Sequence, residues 1–501
     1  MSQTSNSHLA FHCPGDPASV TRAVHLARLA AFYPACCGCP HRADTAVFSP
    51  KRAKQLAEVH DHSHSPALFD DEGLSGTLLD ELTPDVVRRA AVAFGLWLRE
   101  LQPQAADSSA WPRVLLAGDG RQATVSLVAS AARGLQFAGC HVIDVGQASS
   151  GCLTFALHRT QAAGGLLIGN PGHRSHQAGL RFWRADGPVS HGAGLERIES
   201  LRAGPLDRPT REFGSLGRES FEADYLASLA DYYHALRPLR VVLDTACRSL
   251  LDNLHSLARP LECRFFHEST TTETTSDRII RHGAHFAATI DGNGETLRLT
   301  DERGESVHDE RLLKLIAHEW LTLLLHNQGG PECQRVPLLA NLSETPELAQ
   351  RHCLPETVEA SETCKQCDVP TTWNASCGKQ WHTRIMDDQP SGCLGQSEAV
   401  AQTPAAAMPA ILLEEDTAAE TERHLAATGR RVVRAGPRRA AMHQAMTDQN
   451  ASLGGGPSGR FWYARTGHVA SDALVTLSLL LSAMSHSDRP LSQVLDEAAS
   501  L

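Results

Sequence analysis

The chain alternates short apolar runs with amphipathic stretches, a pattern that predicts strands separated by helices. The run from Leu166 to Ile168 lies between glycines and predicts a buried strand that ends in a loop. Two further apolar runs, 113–117 and 141–145, flank a predicted helix. Upstream, Thr83 and Pro84 predict the start of a helix with the apolar face Val87, Ala90, Ala91 and Phe94. Strands and helices in alternation indicate a parallel sheet with helical crossovers.

A resemblance described below implies two further units of the same kind, so we expect an α/β protein of three consecutive mixed α/β/α domains. The run 287–290 predicts a strand of the second domain, and the polar loop 291–296 follows it. A polar segment at about 353–402 shows neither a helical nor a strand period and is interpreted as an insertion. The predicted organisation is a Cys/His-rich N-terminal extension at 1–65, domain I at 66–204, domain II at 205–305, and domain III at 306–501 with the insertion.

The composition is that of a large globular protein and restricts its partners. Of 501 residues, 42% are apolar, which is enough to fill a core in each domain. A net charge of −11 argues against a nucleic-acid partner or an anionic membrane surface. The apolar runs at 20–33 and 473–484 are too short or too interrupted by charge to span a membrane. We therefore expect a cytoplasmic protein whose 14 cysteines are reduced or metal-bound.

Four segments have a specific spacing of glycine and polar residues. They are DDEGLSGTLLDELTP from residue 70, GGLLIGNPGHRSHQAGLRF at 164–182, DGNGET at 291–296 and LGGGPSGRF at 453–461. In this order they resemble the GTxGIRG…LTP, GGIMITASHNPxxxNGIK, DGDADR and LGGEQSGHF segments of the phosphohexomutases, the phosphoglucomutase and phosphomannomutase family. The resemblance covers about 69–501 without the insertion. We expect no counterpart of the family's C-terminal phosphate-binding domain within residues 1–501.

The resemblance implies an intramolecular phosphotransferase fold that uses Mg²⁺ and binds sugar phosphates, but the family's phosphorylated serine is missing in the ungapped alignment. Pro171 stands at that position, and proline has no hydroxyl to accept a phosphoryl group. A four-residue gap places Ser175 and His176 over the family's Ser-His pair instead. His173 is a further candidate acceptor, and these alternatives remain open beside the loss of the nucleophile.

The magnesium loop of the family is weakened in this chain. The family's ligands are three aspartates, and the matching residues are Asp291, Asn293 and Glu295. Mg²⁺ prefers closely placed oxygen ligands in octahedral geometry, so the loss of one charge and the longer Glu295 side chain predict a poorer site. Thr296 also replaces an arginine that the family uses beside the phosphate.

The sugar-binding loop is altered as well. Ser458 and Gly459 are retained, whereas Gly456 and Arg460 replace the family's glutamate and histidine. Because guanidinium groups bind phosphate and carboxylate in pairs of hydrogen bonds, Arg460 predicts an anionic ligand. Arg121 matches an arginine of the family's GRDxR loop and is a second candidate contact. Its turn, 118–123, also fits a loose GxGxxA dinucleotide pattern, an alternative that lacks the acidic residue expected downstream.

Two groups of cysteine and histidine predict zinc sites. Cys36, Cys39 and His41 supply three ligands, with Cys13 as a candidate fourth. The second group lies in the insertion and consists of Cys364, Cys367, Cys377 and either His382 or Cys393. Neither has the paired CxxC spacing of a standard zinc knuckle, so reduced structural cysteines are the alternative.

The altered residues together favour a degenerate phosphohexomutase-like protein that has lost mutase activity and acts by binding a sugar phosphate or another small anion. One alternative is an active phosphotransferase on hexose phosphates with Ser175 or His173 as the acceptor. A second is a zinc-organised interaction protein in which the mutase-like domains are a scaffold.

Overall fold

A computed structural model describes most of the chain outside the predicted insertion. The described residues belong to one compact unit, Met1–Arg335 together with Met408–Leu501. The predicted insertion lies outside the described residues, and the domain boundaries stay predictions. The described ranges are 11–12, 18–31, 36, 39–61, 69–78, 80–101, 111–172, 176–209, 211, 213–233, 236–268, 273–328, 409–465 and 467–500.

The N-terminal extension contributes two helices, α1 (Arg22–Ala30) and α2 (Pro50–Asp61). Helix α1 is capped by Thr21, whose hydroxyl accepts a hydrogen bond from the Val24 N–H at 3.4 Å. His25 on this helix is fully buried and stacks on Phe11 with ring centroids 4.4 Å apart. The extension therefore packs around aromatic rings in the region where the sequence predicted a zinc site.

The first sheet has eight strands in the order β1-β2-β6-β5-β3-β4-β8, with β7 paired to β6. Its central strands β5, β3, β4 and β8 are parallel, whereas β1, β2, β6 and β7 run antiparallel to their neighbours. The predicted strands at 113–117, 141–145 and 166–168 are confirmed. The strands are β1 (Phe69–Asp70), β2 (Gly73–Thr77), β3 (Arg113–Gly118), β4 (His141–Gln147), β5 (Gly164–Gly169), β6 (Gln177–Arg184), β7 (Gly187–Pro188) and β8 (Leu216–Arg218).

Four helices accompany this sheet. They are α3 (Pro84–Leu101), α4 (Val125–Phe137), α5 (Ser150–Thr160) and α6 (Leu195–Ala203). Helix α3 begins at Pro84 as predicted, with the Thr83 hydroxyl 3.4 Å from the Val86 N–H. Its apolar face packs so closely on α4 that a Cβ on Gly134 would lie 2.4 Å from the carbonyl oxygen of Arg88. Close helix packing thus requires glycine at that contact.

The second sheet has the order β10-β9-β11-β12, with β12 antiparallel to β11. The predicted strand at 287–290 is confirmed as the central strand β11. Its strands are β9 (Arg240–Thr245), β10 (Arg264–His267), β11 (Phe286–Ile290) and β12 (Leu297–Thr300), and its helices are α7 (Glu222–Leu229), α8 (Arg248–Ala258) and α9 (Thr275–His282).

The third sheet has the order β14-β13-β15-β16-β17. Its strands are β13 (Ala410–Glu414), β14 (Val432–Ala435), β15 (Ala451–Gly455), β16 (Trp462–Arg465) and β17 (His468–Ser471). The remaining helices are α10 (Asp309–Gln328), α11 (Ala419–Ala427), α12 (Arg439–Asp448), α13 (Ala473–Ser485) and α14 (Leu491–Ser500). The three consecutive α/β units agree with the predicted fold class.

One hydrophobic cluster includes buried residues from all three sheets, among them Leu115, Leu243 and Leu413. The apolar run from Ala473 to Met484 lies in α13 and belongs to this cluster. Within the part of the chain that the structure describes, no helix is both long and apolar enough to cross a membrane. The shared core holds the loops at the strand ends close together.

Candidate functional site

Four loops that follow strands of the three sheets meet at one place. We call them the central loops: 119–121 after β3, 170–172 after β5, 291–296 after β11 and 456–460 after β15. Backbone hydrogen bonds link the last three, from Gly292 N–H to the Gly172 carbonyl at 3.4 Å and from Leu297 N–H, just after the loop 291–296, to the Gly459 carbonyl at 2.9 Å. In open α/β sheets the carboxyl ends of strands are where ligands bind, so this is the candidate functional site.

Pro171, which the ungapped alignment places at the family's nucleophile position, is packed against the sheet. A Cβ on Gly179 of β6 would lie 2.9 Å from Cγ of Pro171, so the proline ring lies directly on that glycine. His176 is described and is 1% exposed. The other two candidate acceptors, His173 and Ser175, lie outside the described residues, so the choice between the two alignments stays a prediction.

The loop after β5 also presses directly on the loop after β11. A Cβ on Gly292 would lie 2.4 Å from Cβ of Asn170 and 2.8 Å from the Asn170 carbonyl oxygen. A Cβ on Gly169 would lie 2.3 Å from Oδ1 of Asn293. A side chain at 292 would therefore collide with the backbone and Cβ of Asn170, whereas one at 169 would require the Asn293 amide to move. The backbones of the two loops are in contact where the family resemblance predicted a nucleophile facing a metal.

Asp291 closes its own loop. Its Oδ1 atom accepts hydrogen bonds from the backbone N–H groups of Glu295 at 2.7 Å and Thr296 at 2.9 Å. Burial, together with the charge of Glu295, raises the pKa of Asp291 to about 6, although the two N–H donors oppose this shift. The carboxylate predicted to hold Mg²⁺ is therefore committed to the backbone of the turn.

Glu295 is held by two arginines. Its Oε1 atom lies 3.1 Å from Nη2 of Arg439 and accepts a hydrogen bond from the Ser150 hydroxyl at 2.7 Å. Its Oε2 atom lies 3.3 Å from Nε of Arg460. Both carboxylate oxygens thus face fixed cations of the third sheet. The charge that the sequence assigned to a metal is neutralised by guanidinium groups.

Arg439 was missed by the sequence analysis. It begins helix α12 outside every motif, and no local pattern indicates that it reaches the second sheet. The side chain is 2% exposed, and its guanidinium carbon lies 4.2 Å from the ring centroid of Trp183. Burial lowers the pKa of Arg439, and the nearby Glu295 and Glu72 oppose that shift. Two carboxylates and an indole ring thus stabilise the charge of this buried arginine.

Arg460, predicted to attract an anion, binds one supplied by the chain. Its Nη1 and Nη2 atoms each donate a hydrogen bond to the Glu72 carboxylate at 3.0 Å. The Glu72 side chain is 18% exposed and comes from the turn between β1 and β2. Burial alone would lower the pKa of Arg460, but Glu72 and Glu295 outweigh it and raise the pKa.

The remaining predicted ligand contacts also have partners within the protein. The backbone N–H of Ser458 donates to Oε2 of Glu414 at 2.9 Å, and its hydroxyl donates to Oε1. A Cβ on Gly456 would lie 2.6 Å from Cβ of Glu414, so this glutamate fills the space beside the glycine. Arg121 is paired with Asp119 at 2.5 Å and donates to the Gln177 carbonyl at 2.9 Å.

The structure describes only some of the side chains predicted to bind metals. Among the described residues, no group of three or more His, Cys, Asp or Glu side chains is placed to hold a metal ion. The Asp291, Asn293 and Glu295 set does not suit Mg²⁺, because two arginines face Glu295 and a backbone turn holds Asp291. Cys36 and Cys39 are buried near His41 without forming such a group. The second zinc set, Cys364, Cys367, Cys377 and His382, lies outside the described residues.

Comparison with known proteins agrees with this architecture. Residues 66–202 match the sequence model of the phosphoglucomutase/phosphomannomutase α/β/α domain I. A phosphoglucosamine mutase of Natranaerobius thermophilus is 26% identical over 272 residues, which are 51% of this chain and 60% of that protein. A phosphomannomutase of Salmonella typhimurium is 26% identical over 282 residues, 50% of this chain and 59% of that protein. The aligned part thus spans about three fifths of each curated relative.

Solved structures have the same fold. A phosphoglucomutase/phosphomannomutase family protein of Burkholderia thailandensis superposes with a TM-score of 0.58 over 86% of this chain and 79% of that one, at 15% identity. A putative phosphomannomutase of Thermus thermophilus superposes with a TM-score of 0.57 over 87% of this chain and 84% of that one, also at 15% identity. Three consecutive α/β units with converging strand-end loops give this chain the fold of these two structures. At the level of sequence, it is residues 66–202 that match domain I of the phosphoglucomutase/phosphomannomutase family.

Proposed function

We propose that this protein is a phosphohexomutase-family protein that does not isomerise hexose phosphates and that acts by binding a phosphorylated ligand. The observation that carries the proposal is the position of Glu295, whose carboxylate lies between Arg439 and Arg460. Arginines at this point bring positive charge without the open coordination positions of a metal ion. The loop 291–296 therefore has the same position in the fold as the family's magnesium loop but does not bind a metal ion.

Phosphoryl transfer depends on positioning and on neutralising charge at the transferred group. An acceptor hydroxyl must reach the phosphorus, and a cation must bridge the phosphate oxygens. Here Pro171 lies on Gly179, and the cationic groups nearby are occupied by Glu72 and Glu295. Asn170 and Gly292 are in contact, which leaves no space between the two loops for a bridging ion.

The curated relatives carry the names phosphoglucosamine mutase and phosphomannomutase. Hexose phosphates of these two kinds are therefore the first substrates to test, together with glucose 1-phosphate. The protein would be incubated with Mg²⁺, each hexose 1-phosphate and the matching bisphosphate activator, and the hexose 6-phosphate would be measured with a coupled assay. An active phosphomannomutase serves as the positive control. We expect no product above the rate without enzyme.

A single substitution separates loss of activity from an altered nucleophile. If the protein turns over, and Ser175→Ala abolishes that turnover, the proposal is wrong and the altered phosphotransferase is right. Intact-mass measurement after incubation with the sugar bisphosphate adds an independent readout, because a phosphorylated acceptor adds the mass of one phosphate. The proposal expects an unchanged mass.

A further inference from the structure

Three hydrogen-bond donors converge on the Glu72 carboxylate. Oε1 accepts from Nη1 of Arg460 at 3.0 Å and from the backbone N–H of Arg439 at 3.0 Å, and Oε2 accepts from Nη2 of Arg460 at 3.0 Å. The Arg439 N–H belongs to the first residue of the ten-residue helix α12. A paired guanidinium and a helix N-terminus are the two protein groups that most often bind phosphate and carboxylate.

The neighbouring acidic residues make parallel contacts. Asp70, Asp71 and Glu72 form what we call the acidic turn, between β1 and β2. Asp71 pairs with Arg438 of the third sheet's unit at 3.1 Å, and Asp70 pairs with Arg181 of β6 at 3.0 Å. Each acidic residue of this turn thus neutralises an arginine. The turn covers a cationic surface that Arg438, Arg439 and Arg460 supply.

Arg439 adds an observation independent of the helix end. The side chain is 2% exposed, and its Nε and Nη1 atoms have no hydrogen-bond partner among the described residues. A buried guanidinium group with two unused donors is energetically costly, and an anion with more than two oxygens can satisfy donors that one carboxylate leaves unused. The N–H donors of Arg439 thus outnumber the acceptor atoms that the described part of the chain places beside them.

We propose that the Glu72 carboxylate occupies an anion-binding site when no ligand is bound, and that the external ligand of this site is a phosphate monoester. The inference rests on the proposed binding function and gives it a place, at Arg460 and the first turn of α12. A ligand phosphate competes with the Glu72 carboxylate, so the acidic turn must leave before the ligand binds. Burial raises the pKa of Glu72, but Arg460 and Arg439 outweigh it and hold the pKa below its ordinary value, so the occupant is charged at neutral pH.

The phosphate can bind only those molecules in which the acidic turn is released. Its apparent affinity is therefore the intrinsic affinity multiplied by the fraction of such molecules. Removing the occupant should therefore strengthen phosphate binding. Glu72→Ala removes the charge and leaves space, whereas Glu72→Gln removes the charge and keeps the volume. Glu100→Ala is the matched control, since Glu100 forms an exposed ion pair with Arg197 in the same unit.

The test is titration calorimetry with inorganic phosphate and with glucose 1-phosphate. For Glu72→Ala we expect binding at least about tenfold tighter than for the wild type, a change of about 1.4 kcal/mol. Glu72→Gln should gain less, and Glu100→Ala should match the wild type. Adding Arg460→Met to Glu72→Ala should remove the gain. Tighter binding of the sugar phosphate identifies a sugar-phosphate ligand, and equal affinities identify free phosphate.

A folded Glu72→Ala variant, judged by circular dichroism, with wild-type phosphate affinity would overturn the proposal. If that variant does not fold, hydrogen–deuterium exchange on the wild type decides. Saturating glucose 1-phosphate should then speed exchange of the backbone N–H groups of residues 71–74, and unchanged exchange counts against the site. Mutase turnover in the wild type would contradict the proposed function but not the Glu72 result, so the two failures are distinguishable.

Discussion

Arg439 and Glu295 form an ion pair of 3.1 Å in which each side chain is only 2% exposed. The two residues come from different α/β units, and the pair joins helix α12 to the loop after β11. Removing two charges from water is costly, so a buried pair of this kind specifies a geometry more than it adds net stability. Removing one partner is a different matter, because the other charge remains buried and unpaired.

Glu295→Gln should therefore destabilise the protein strongly. The substitution keeps the shape of the side chain but leaves Arg439 and Arg460 without their shared carboxylate. We expect the free energy of unfolding to fall by about 3–5 kcal/mol, measured by urea denaturation. The matched control is Glu100→Gln, which breaks the exposed pair with Arg197 and should lower the free energy of unfolding far less, because solvent screens that pair. Equal effects of the two substitutions would contradict a buried network.

Divalent metal should have no effect on stability. Because the Glu295 carboxylate is held by arginines, Mg²⁺ has no open ligand set to bind in the central loops. We expect the same Tm with saturating Mg²⁺ and with a chelator, whereas an active family member should be stabilised by the metal through binding to its folded state. A rise in Tm with Mg²⁺ that Glu295→Gln removes would show that the loop binds metal after all.

The contact between Asn170 and Gly292 can be tested with one added methyl group. Gly292→Ala places a Cβ 2.4 Å from Cβ of Asn170, so the two loops must separate. We expect a loss of about 1–3 kcal/mol in the free energy of unfolding. Gly217→Ala, on the edge strand β8, has nothing within 4 Å of its Cβ and should change stability by about 0.5 kcal/mol or less. Similar costs at both sites would mean that the loops are not tightly packed.

Mild acid should destabilise the protein through His443. This histidine and His468 line a cavity of 660 Å³ between helix α5, the β6–β7 turn, helix α12 and the β16–β17 turn. Burial lowers the pKa of His443 to about 4, with Asp186 opposing and Arg439 adding to the shift. The pKa of His468 is likewise lowered to about 4, by burial and by the charges of Arg465 and His158.

The direction of this pH effect follows from the difference in proton uptake between the folded and unfolded chain. Between pH 6.5 and 4 the unfolded chain binds a proton that the folded His443 does not, so the free energy of unfolding falls as the pH falls. We expect His443→Gln to reduce the loss of stability between pH 7 and pH 5 by on the order of 2 kcal/mol. Asp291, whose pKa is raised to about 6, acts in the opposite direction and is common to both proteins. Identical pH profiles for wild type and His443→Gln would contradict the prediction.

Pro171→Ser should not create a mutase. The substitution supplies a hydroxyl at the family's nucleophile position, but Glu295 remains bound by Arg439 and Arg460. We expect no hexose phosphate isomerisation in the coupled assay, with an active phosphomannomutase measured in parallel. Measurable turnover would show that the proline alone had silenced the site.

The fold and the location of the site were predictable from sequence because both depend on local patterns. The apolar run at 166–168 and the polar loop after 290 identify strand ends without knowledge of the partners. The pairing of Glu72 with Arg460 joins residues 388 positions apart in the chain, and neither side chain stands in a motif that predicts the other. Arg439 is a single arginine at a helix start. The resemblance therefore located the altered loops, whereas the groups that occupy them required three-dimensional structure.

The buried ion-pair network also limits which substitutions this chain can accept during evolution. Its members are Glu72, Glu295, Arg439 and Arg460. Losing Arg439 leaves Glu295 with Arg460 as its remaining cationic partner, and losing Arg460 removes the paired contact of Glu72. Replacing Glu295 leaves the buried Arg439 without its 3.1 Å partner. Each single substitution in the network is therefore expected to reduce stability. In descendants of this chain we expect the four positions to change together rather than one at a time.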